Sequence, residues 1–479
     1  MKILYAASEA LPFASSGGLA DVVGSLPQAV KEVLGRDGDV RVVIPMYSQI
    51  RGKFAEQLEL VTEINVRLSW RNQYCGIWKT ERSGVTVYFI DNLYYFDRGT
   101  LYGCHDDGER FAFFSKCVLE LMSAVHFYPD ILHANDWQTA LAVIYLKRKY
   151  AHLEEYRSTR ALFTIHNIDY QGQFDFGILS DVFELPEWDR SVVEYNGCIN
   201  LLKGAIVCAD MVNTVSQTYA REILTEYFSS GLHHILRQAD AEGKLTGIVN
   251  GIDVDYYNPE NDPDIAANYS YADPSPKALD KEDLENICGF AHAPDTPIIA
   301  MVSRLASHKG FDLVRRVLEE IVANDNIRFV LLGTGETALE DYFRDLAARY
   351  PDRVAIRLEY NKALSKKFYA GADLFLMPSK SEPCGLSQMI ASRYGTVPIV
   401  RECGGLADTI RPYNEYDGTG NGFTFTNYNA HDMMSVIRYA CSMFADHSKW
   451  DNLVKVVMNV DFSWNVSAKR YIDIYARLK

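Results

Sequence analysis

The sequence predicts an α/β protein composed of two consecutive halves, each built around a parallel β-sheet. Through residues 1–250, short apolar runs bounded by polar residues alternate with amphipathic stretches, which is the pattern of βαβ units. The alternation stops at residues 253–276, which carry four prolines among many Asp, Asn and Ser residues. It resumes between residues 298 and 400. We therefore expect one domain over 1–250, a long joining or site-lining loop, and a second domain over 251–459.

The predicted strands of the first half are short and rich in β-branched and aromatic residues. They cover residues 2–7, 40–45, 85–90, 131–133, 161–165 and 211–215. Residues 111–125 and 138–150 lie between strands and carry apolar side chains near helical spacing. Strands that alternate with helices in this way favour right-handed crossovers around a parallel sheet.

The predicted strands of the second half have the same composition. They cover residues 298–302, 328–332, 354–357, 374–377 and 397–400. The chain then ends in residues 462–478, whose aromatic and apolar side chains recur near helical spacing, with Ser463 as a candidate N-cap. Spacing alone does not determine which half this terminal helix packs on.

The composition excludes several functional classes. The chain has 48 basic and 63 acidic residues and a net charge of −15, so we expect no nucleic-acid partner that relies on a basic surface. No run of 18 apolar residues occurs, so we also expect no membrane span. The nine cysteines include no C-x-x-C pair, which argues against structural zinc or a disulfide framework and favours a reduced, cytoplasmic protein.

Two glycine-rich junctions follow predicted strands and are candidates for phosphate binding. Gly17 and Gly18, preceded by Ser15, let the backbone approach an anion at a helix start, although a plain loop is the alternative. Gly335 belongs to a G-x-G-x-x-A run that matches the dinucleotide fingerprint, but a single match is weak. We interpret this second junction as a nucleotide contact or a structural turn rather than an NAD site.

A third junction combines a carboxylate with backbone amides. Glu382 precedes a predicted helix start, where it can bind sugar hydroxyls or stabilise a developing cation. The amides of Cys384, Gly385 and Leu386 can hold an anion or a hydroxyl. Helix capping by Glu382 is the alternative.

Two cations lie just past the predicted strand 298–302. Arg304 and Lys309 offer a guanidinium and an ammonium, which suit the diphosphate of a leaving group, although either can be a solvated loop charge. Asp253 and Asp255 form the D-x-D pattern of manganese-dependent sugar transferases. Because they lie in the long loop, we favour loop capping and expect no metal or other cofactor.

Polar and aromatic residues of the first half form another candidate group. They are His133, Asp136, Trp137, His166, Asn167 and, further upstream, Tyr95. Such residues supply the stacking faces and hydrogen-bonding groups that a sugar needs. Either histidine can instead be a core residue with satisfied hydrogen bonds.

The ordered motifs of the chain resemble those of the bacterial glycogen synthase and plant starch synthase family. They are S-G-G-L-A-D-V, H-A-N-D-W-Q, T-I-H-N-x-x-Y-Q-G, V-N-G-I-D, V-S-R-L-x-x-x-K-G, G-T-G and S-E-P-C-G-L-S-Q, and the end F-S-W-N-x-S-A-x-x-Y is also similar. The resemblance spans the whole chain. It implies the GT-B architecture, in which two Rossmann-like domains flank a deep cleft and the final helix, here 460–479, crosses back to the N-terminal domain.

The resemblance also implies an activity and its residues. The reaction would transfer glucose, with retention and without a metal, from ADP-glucose to the non-reducing 4-OH of an α-1,4-glucan. Arg304 and Lys309 would neutralise the donor diphosphate, and Glu382 would hold the donor glucose. His166, from the first domain, would be a further catalytic residue that contacts the donor sugar and the acceptor end. The further residues implied for the donor are Ser15, Gly17, Gly18, Asp136, Asn250, Gly335, Cys384, Gly385 and Leu386, and those for the acceptor are Tyr95, Trp137 and Asn167.

Two departures from the family pattern keep alternatives open. Ser15 and Ser16 stand where the family usually has Lys-Thr, which removes a cation that faces the donor. UDP-glucose therefore remains an alternative donor, and a catalytically weak glucan-binding homologue is a second alternative. Ile390 stands eight positions after Glu382, where the wider superfamily has a second glutamate. Bacterial members commonly lack that glutamate, so we do not interpret its absence as inactivation.

Overall fold

The computed structural model describes all 479 residues, and the chain divides into two compact units. Unit 1 comprises Met1–Gly251 together with Trp464–Lys479, and unit 2 comprises Ile252–Ser463. Each unit contains a largely parallel sheet with helices between its strands. The predicted fold class, two α/β domains in tandem, is confirmed.

Unit 1 is built on a nine-stranded sheet in the order β12-β11-β7-β6-β1-β2-β5-β4-β3. Its strands are β1 Lys2–Ala6, β2 Asp39–Pro45, β3 Glu59–Leu68, β4 Arg71–Arg82, β5 Val85–Asp91, β6 Ile131–Asn135, β7 Arg160–Ile165, β11 Met211–Thr214 and β12 Leu245–Gly247. Only β4 runs against the others. A small antiparallel sheet adds β8 Gln173–Phe174, β9 Glu194–Tyr195 and β10 Cys198–Asn200.

The hairpin of β3 and β4 is the largest element that the sequence pattern did not predict. Both strands lie at the edge of the sheet, and many of their side chains are exposed or half-buried. In an edge hairpin with one solvent-exposed face, polar and apolar residues alternate, so no continuous apolar run marks the strands. The continuous apolar runs that predict the other strands are therefore missing from this hairpin.

The helices of unit 1 separate the parallel strands and cover the sheet. They are α1 Gly18–Leu34, α2 Ser48–Phe54, α3 Leu93–Phe96, α4 Asp107–Ala124, α5 Ala140–Tyr145, α6 Arg190–Val193, α7 Leu201–Cys208, α8 Gln217–Glu222, α9 His233–Ala241 and the C-terminal α18 Trp464–Leu478. The core is continuous from β1 to the buried face of α18. The Ser467 hydroxyl on α18 donates to the carbonyl oxygen of Val249 at 2.6 Å, so the terminal helix belongs to unit 1.

A buried chain of hydrogen bonds attaches α18 to the sheet. Tyr5 and Tyr475 share a 2.7 Å bond between their hydroxyls, and the Tyr475 hydroxyl lies 2.8 Å from His133 Nδ1. The other ring nitrogen, Nε2, lies 2.6 Å from the hydroxyl of Thr164 on β7. All four side chains are buried, so each bond replaces one that water would otherwise supply.

The remaining hydrogen bonds of this buried series determine which group is the donor and which the acceptor in each bond. Thr164 donates to Asn213 Oδ1 at 2.6 Å, and Asn213 Nδ2 donates to the Tyr471 hydroxyl at 3.0 Å. Because the single Thr164 proton is used in this way, His133 Nε2 is the donor to Thr164 and Nδ1 accepts from Tyr475. Burial lowers the pKa of His133 to about 3, which keeps the ring neutral as this arrangement requires.

Unit 2 is built on a six-stranded parallel sheet in the order β15-β14-β13-β16-β17-β18. Its strands are β13 Ile298–Val302, β14 Arg328–Leu332, β15 Val354–Arg357, β16 Leu374–Met377, β17 Val397–Arg401 and β18 Phe423–Phe425. The first five lie where the sequence predicts strands. The three-residue β18 was not predicted, because so short an apolar run carries no distinctive period.

The helices of unit 2 follow the same alternation. They are α10 Lys277–Cys288, α11 Phe311–Asn324, α12 Thr337–Arg349, α13 Lys362–Gly371, α14 Ser387–Arg393, α15 Gly404–Thr409, α16 Ala430–Phe444 and α17 His447–Met458. Throughout the chain, every helix is too short or too polar to traverse a lipid bilayer.

The long loop of residues 253–276 lies entirely in unit 2 and contains no helix or strand. Its Asp262 carboxylate is buried and pairs with Lys366 Nζ at 3.0 Å, and it also accepts a hydrogen bond from Tyr394. Asp253 Oδ1 accepts from the amides of Asp255 and Tyr256 at 3.1 and 2.9 Å. This is the loop capping that the D-x-D pattern was expected to provide.

Candidate functional site

The strand order places a ligand crevice of unit 2 at the carboxyl ends of β13 and β16. The sheet is extended in opposite directions from these two neighbours, and open α/β sheets bind ligands at such a switch point. The loop after β13 contacts the loop after β16, because Lys380 N donates to His308 O at 2.8 Å. Gly310 has φ +78°, and a Cβ there would lie 2.0 Å from Pro378 O, so the close approach requires glycine.

This approach brings together two of the predicted residues. Lys309 Nζ lies 2.9 and 2.7 Å from the two carboxylate oxygens of Glu382. The Ser379 hydroxyl donates to Glu382 Oε2 at 2.9 Å. The Glu382 side chain is only 8% exposed, against 21% for Lys309, so the carboxylate is buried and the ammonium faces outward in part. Glu382 is a buried carboxylate with satisfied partners rather than a helix cap.

Arg304 lies on the same loop as Lys309 but has a different environment. Its side chain is exposed and makes no ion pair or hydrogen bond. Because Glu382 already neutralises Lys309, Arg304 is the cation of this loop that is free to meet an anion. The two predicted cations therefore lie in one loop and differ in availability.

The loop after β14 packs against the loop that carries Arg304 and Lys309, and its Gly335 amide is already hydrogen-bonded. A Cβ at Gly333 would lie 1.8 Å from Ser303 O, and a Cβ at Gly335 would lie 2.0 Å from Leu305 O. The Gly335 amide donates to Glu340 Oε1 at 3.0 Å. The G-x-G run is thus explained by backbone packing, and the donor contact predicted for Gly335 has no free amide in this structure.

The segment after Glu382 leaves two backbone amides without a protein acceptor. Gly385 has φ +74°, and the amides of Gly385 and Leu386 donate to no protein acceptor. Gln388 Nε2 donates to the carbonyl oxygens of Cys384 and Gly385 at 3.2 and 3.0 Å, which fixes the turn. Cys384 itself is buried.

Three features that hold this segment were not predicted from the sequence. Ser379 binds Glu382 directly, and Arg401 Nη1 donates to Lys380 O at 2.9 Å. Gly404 and Gly405 pack against the loop, since a Cβ at Gly404 would lie 2.0 Å from Glu382 O. The G-G pair after β17 repeats the G-G pair before α1, and that repetition was the signal available in the sequence.

Unit 1 has a comparable switch point between β1 and β6. Asp136, directly after β6, has φ +56° and ψ 179°, a strained conformation that non-glycine residues rarely adopt. Its Oδ1 accepts from the backbone amide of His166 at 2.8 Å. Burial raises the pKa of Asp136 to about 7, so the carboxyl is partly protonated near neutral pH.

Glu9 is a second acid at this switch point, and it belongs to none of the motifs identified in the sequence. Its side chain is buried, forms no ion pair and accepts from the amide of Ser16 at 2.5 Å. Burial, with a smaller contribution from the charge of Asp21, raises its pKa to about 7. Ser15, Gly17 and Gly18 are exposed, but the Ser16 amide between them is already used by Glu9.

His166 lies beside these acids and is half-buried. Its Nε2 is 2.9 Å from Asn135 Oδ1, and burial lowers the pKa of the ring to about 3. Asn250 is also buried, and its Oδ1 has no hydrogen-bond partner. A buried acceptor without a donor is costly, so Asn250 has the property expected of a ligand contact.

The three residues predicted for an acceptor differ in accessibility. Tyr95 is fully buried and donates to Glu109 Oε1 at 2.6 Å, so its ring offers no face to a sugar and the prediction for it is not supported. Tyr94, its neighbour, is 63% exposed. Trp137 is half-buried against Phe111, and Asn167 accepts from the amide of Asp169 at 3.0 Å.

Comparisons with known proteins extend over the whole chain. Residues 2–238 match the family described as the starch synthase catalytic domain, and residues 285–452 match glycosyl transferases group 1. A glycogen synthase of Desulforamulus reducens is 46% identical over 480 aligned positions, covering 100% of this chain and 99% of that protein. A glycogen synthase of Clostridioides difficile is 45% identical, covering 99% of both.

Solved structures show the same relationship. The catalytic domain of starch synthase IV from Arabidopsis thaliana, bound to ADP and acarbose, is similar with a TM-score of 0.90 and 33% identity, covering 99% of each chain. Sucrose-phosphate synthase from Thermosynechococcus elongatus has a TM-score of 0.62 at 16% identity, covering 100% of this chain and 98% of that one, which shows a shared fold alone. The chain therefore belongs to the glycogen and starch synthase family, and it is a glycosyltransferase.

Proposed function

We propose that this enzyme elongates an α-1,4-glucan by transferring glucose from ADP-glucose to a non-reducing 4-OH, with retention of configuration. The observation that carries the proposal is the Lys309–Glu382 pair with the unpaired Arg304 at the switch point of unit 2. This unit matches glycosyl transferases group 1. The similar starch synthase IV structure, bound to ADP and acarbose, supports an adenine nucleotide as donor and a glucan as acceptor.

The donor would bind through unit 2. Arg304 is free to pair with a diphosphate, and Lys309 would exchange part of its contact with Glu382 for a phosphate oxygen. As the glucosyl–phosphate bond breaks, negative charge grows on the leaving diphosphate, and fixed cations stabilise that charge more than they stabilise the ground state. Glu382 would then accept from hydroxyls of the glucose, and the free amides of Gly385 and Leu386 would donate to its oxygens.

Unit 1 would supply contacts to the sugars. Asp136 and Glu9 are both partly protonated near neutral pH, so each can donate a hydrogen bond to a sugar hydroxyl or accept one from it. His166 is neutral, and the unpaired Asn250 Oδ1 can accept from a ligand hydroxyl. Retention and the 4-OH linkage are inferred from the family to which the chain belongs.

UDP-glucose is the second candidate donor, because Ser15 stands where the family usually has a donor-facing lysine. The neighbouring Ser16 amide is bound to Glu9, so the loop before α1 offers any donor diphosphate little positive charge. A catalytically weak glucan-binding homologue is the other candidate, although Arg304, Lys309 and Glu382 are all present. All nine cysteines are free thiols, which supports a reducing compartment such as the cytoplasm.

A donor comparison tests the proposal. The full chain is incubated with glycogen and either ADP-glucose or UDP-glucose, and nucleoside diphosphate release and incorporated glucose are measured, with Glu382→Ala as control. We expect release of ADP, with incorporated glucose that an α-1,4-specific hydrolase removes. Faster turnover of UDP-glucose would favour the second donor. Release no greater than that of Glu382→Ala with either donor, despite glycogen binding, would favour the binding homologue.

A further inference from the structure

The side-chain amide of Asn135, the last residue of β6, is fixed in one orientation. Its Nδ2 lies 3.1 Å from the carbonyl oxygen of Ala6 and 3.3 Å from that of His133. If the amide were turned over, its own oxygen would face two other carbonyl oxygens, which is unfavourable. Asn135 Oδ1 therefore faces His166 Nε2, at 2.9 Å.

This orientation determines the tautomer of His166. An amide oxygen only accepts hydrogen bonds, so His166 Nε2 must carry the proton. In the neutral ring Nδ1 then carries a lone pair, and no protein group binds it. We propose that Asn135 is a positioning residue that presents His166 Nδ1 as a hydrogen-bond acceptor to a substrate hydroxyl. The substrate half of this inference rests on the proposed function, whereas the tautomer does not.

The backbone around Asn135 makes it a rigid support. Asn135 is 1% exposed. Its backbone N–H donates to the Thr139 hydroxyl at 2.7 Å, and the same hydroxyl donates to the backbone carbonyl oxygen of Asn135 at 2.8 Å. Turning the ring of His166 would break the contact with Oδ1, and turning Asn135 would break two further bonds. Because Asn135 is already ordered, its hydrogen bond to His166 fixes the orientation of the ring with little further loss of conformational entropy.

The titratable groups around the ring do not replace this contact. Asp136, in the same turn, accepts from the backbone amide of His166 rather than from its ring. His133 on β6 is a neighbour whose own ring nitrogens are bound to Tyr475 and Thr164. Glu9 acts at longer range, through its charge on Asp136. Asn135 is therefore the residue whose chemistry sets the proton on His166 Nε2.

The test combines a spectroscopic and a kinetic readout on the full-length protein. Nitrogen-15 spectra of labelled histidine, assigned with His166→Gln, should show a protonated Nε2 and an unprotonated Nδ1. Asn135→Asp loses both Nδ2 bonds and leaves His166 Nε2 as the donor that faces the new carboxylate, which stabilises the imidazolium and raises the pKa of His166. Protonation would then consume the lone pair, so kcat/KM should gain an acid limb between about pH 5 and 7 in addition to the pH dependence that Asp136 and Glu9 give wild type. Asn135→Leu should lower kcat/KM about 10-fold without that limb.

Asn429→Asp is the matched control, because it adds the same charge at an exposed helix start in unit 2 and keeps the capping oxygen. It should show the wild-type pH profile. An Nδ1–H tautomer in the wild-type protein would overturn the inference, as would an Asn135→Leu variant that keeps the Nε2–H tautomer and the wild-type kcat/KM. If the enzyme transfers glucose from no nucleotide donor, the proposed function fails, and the spectra still decide the tautomer.

Discussion

The hydroxyl of Tyr475 on α18 lies 2.8 Å from Nδ1 of His133 on β6, although 342 positions separate the two residues in the chain. The same hydroxyl bonds to Tyr5 at 2.7 Å. The end of the chain is thus attached to the two central strands of unit 1 by a buried polar contact. Apolar packing alone would tolerate a rotated or shifted helix, whereas this bond is made in one register only.

Removing that hydroxyl should destabilise unit 1. In Tyr475→Phe, both His133 Nδ1 and the Tyr5 hydroxyl lose a buried partner, and we expect a loss of about 1–3 kcal/mol. Urea unfolding followed by tryptophan fluorescence measures it. Tyr360→Phe serves as the control, because the Tyr360 side chain is 82% exposed, and it should unfold like wild type. Equal midpoints for the two variants would mean that the bond contributes nothing to stability.

Arg304→Ala and Lys309→Ala should differ in stability while sharing a kinetic defect. Each should lower transition-state stabilisation by about 2–4 kcal/mol, measured as kcat/KM with the nucleotide-glucose donor. Arg304 is exposed and unpaired, so its loss should leave the melting temperature unchanged. Lys309→Ala leaves the buried Glu382 carboxylate without its cation and should lower the melting temperature. Full activity in either variant would remove that residue from the site.

The raised pKa of Glu9 predicts that the free energy of unfolding decreases as the pH rises toward 7. The folded state holds the Glu9 proton up to about pH 7, whereas the unfolded chain releases it at the usual lower pH. Folding is therefore penalised progressively as the pH rises through this window, and the penalty is complete above pH 7. Glu9→Gln should be more stable than wild type at pH 8, by on the order of 3 kcal/mol, and nearly equal to it at pH 4.

Thermal unfolding of both proteins between pH 4 and 8 measures this difference. Glu260→Gln is the control, because Glu260 is exposed and its side chain makes no ion pair. Its difference from wild type should stay flat across the range. A Glu9→Gln difference that is also flat, or that grows toward acid pH, would contradict the sign derived from burial.

Gly310→Ala should separate the two loops that bring Lys309 to Glu382. The new Cβ would lie 2.0 Å from Pro378 O at φ +78°. Gly418→Ala introduces the same backbone strain at φ +70° with no atom within 4 Å, so it isolates the cost of the strain alone, about 1–2 kcal/mol. We expect Gly310→Ala to cost clearly more than Gly418→Ala in unfolding free energy and to abolish activity. Equal effects would show that the loops do not need this contact.

The fold followed closely from the sequence wherever a strand is buried on both faces. The strands β13 to β16 begin and end where the apolar runs do, because a parallel strand between two helical layers must be apolar along its whole length. The edge hairpin β3–β4 and the short β18 lack that constraint, and they were not predicted.

The sequence by itself determined the strand–helix alternation, the family motifs, and the residue types available at each strand end. Tertiary structure decided which of those residues act together. Lys309 and Glu382 are 73 positions apart, and they meet because β13 and β16 are neighbours in the sheet. It also showed that Tyr95 and the Gly335 amide are already occupied, and that the buried Glu9 lies where no motif had placed an acid. Burial and strand adjacency are properties of the packed chain, so no local pattern can specify them.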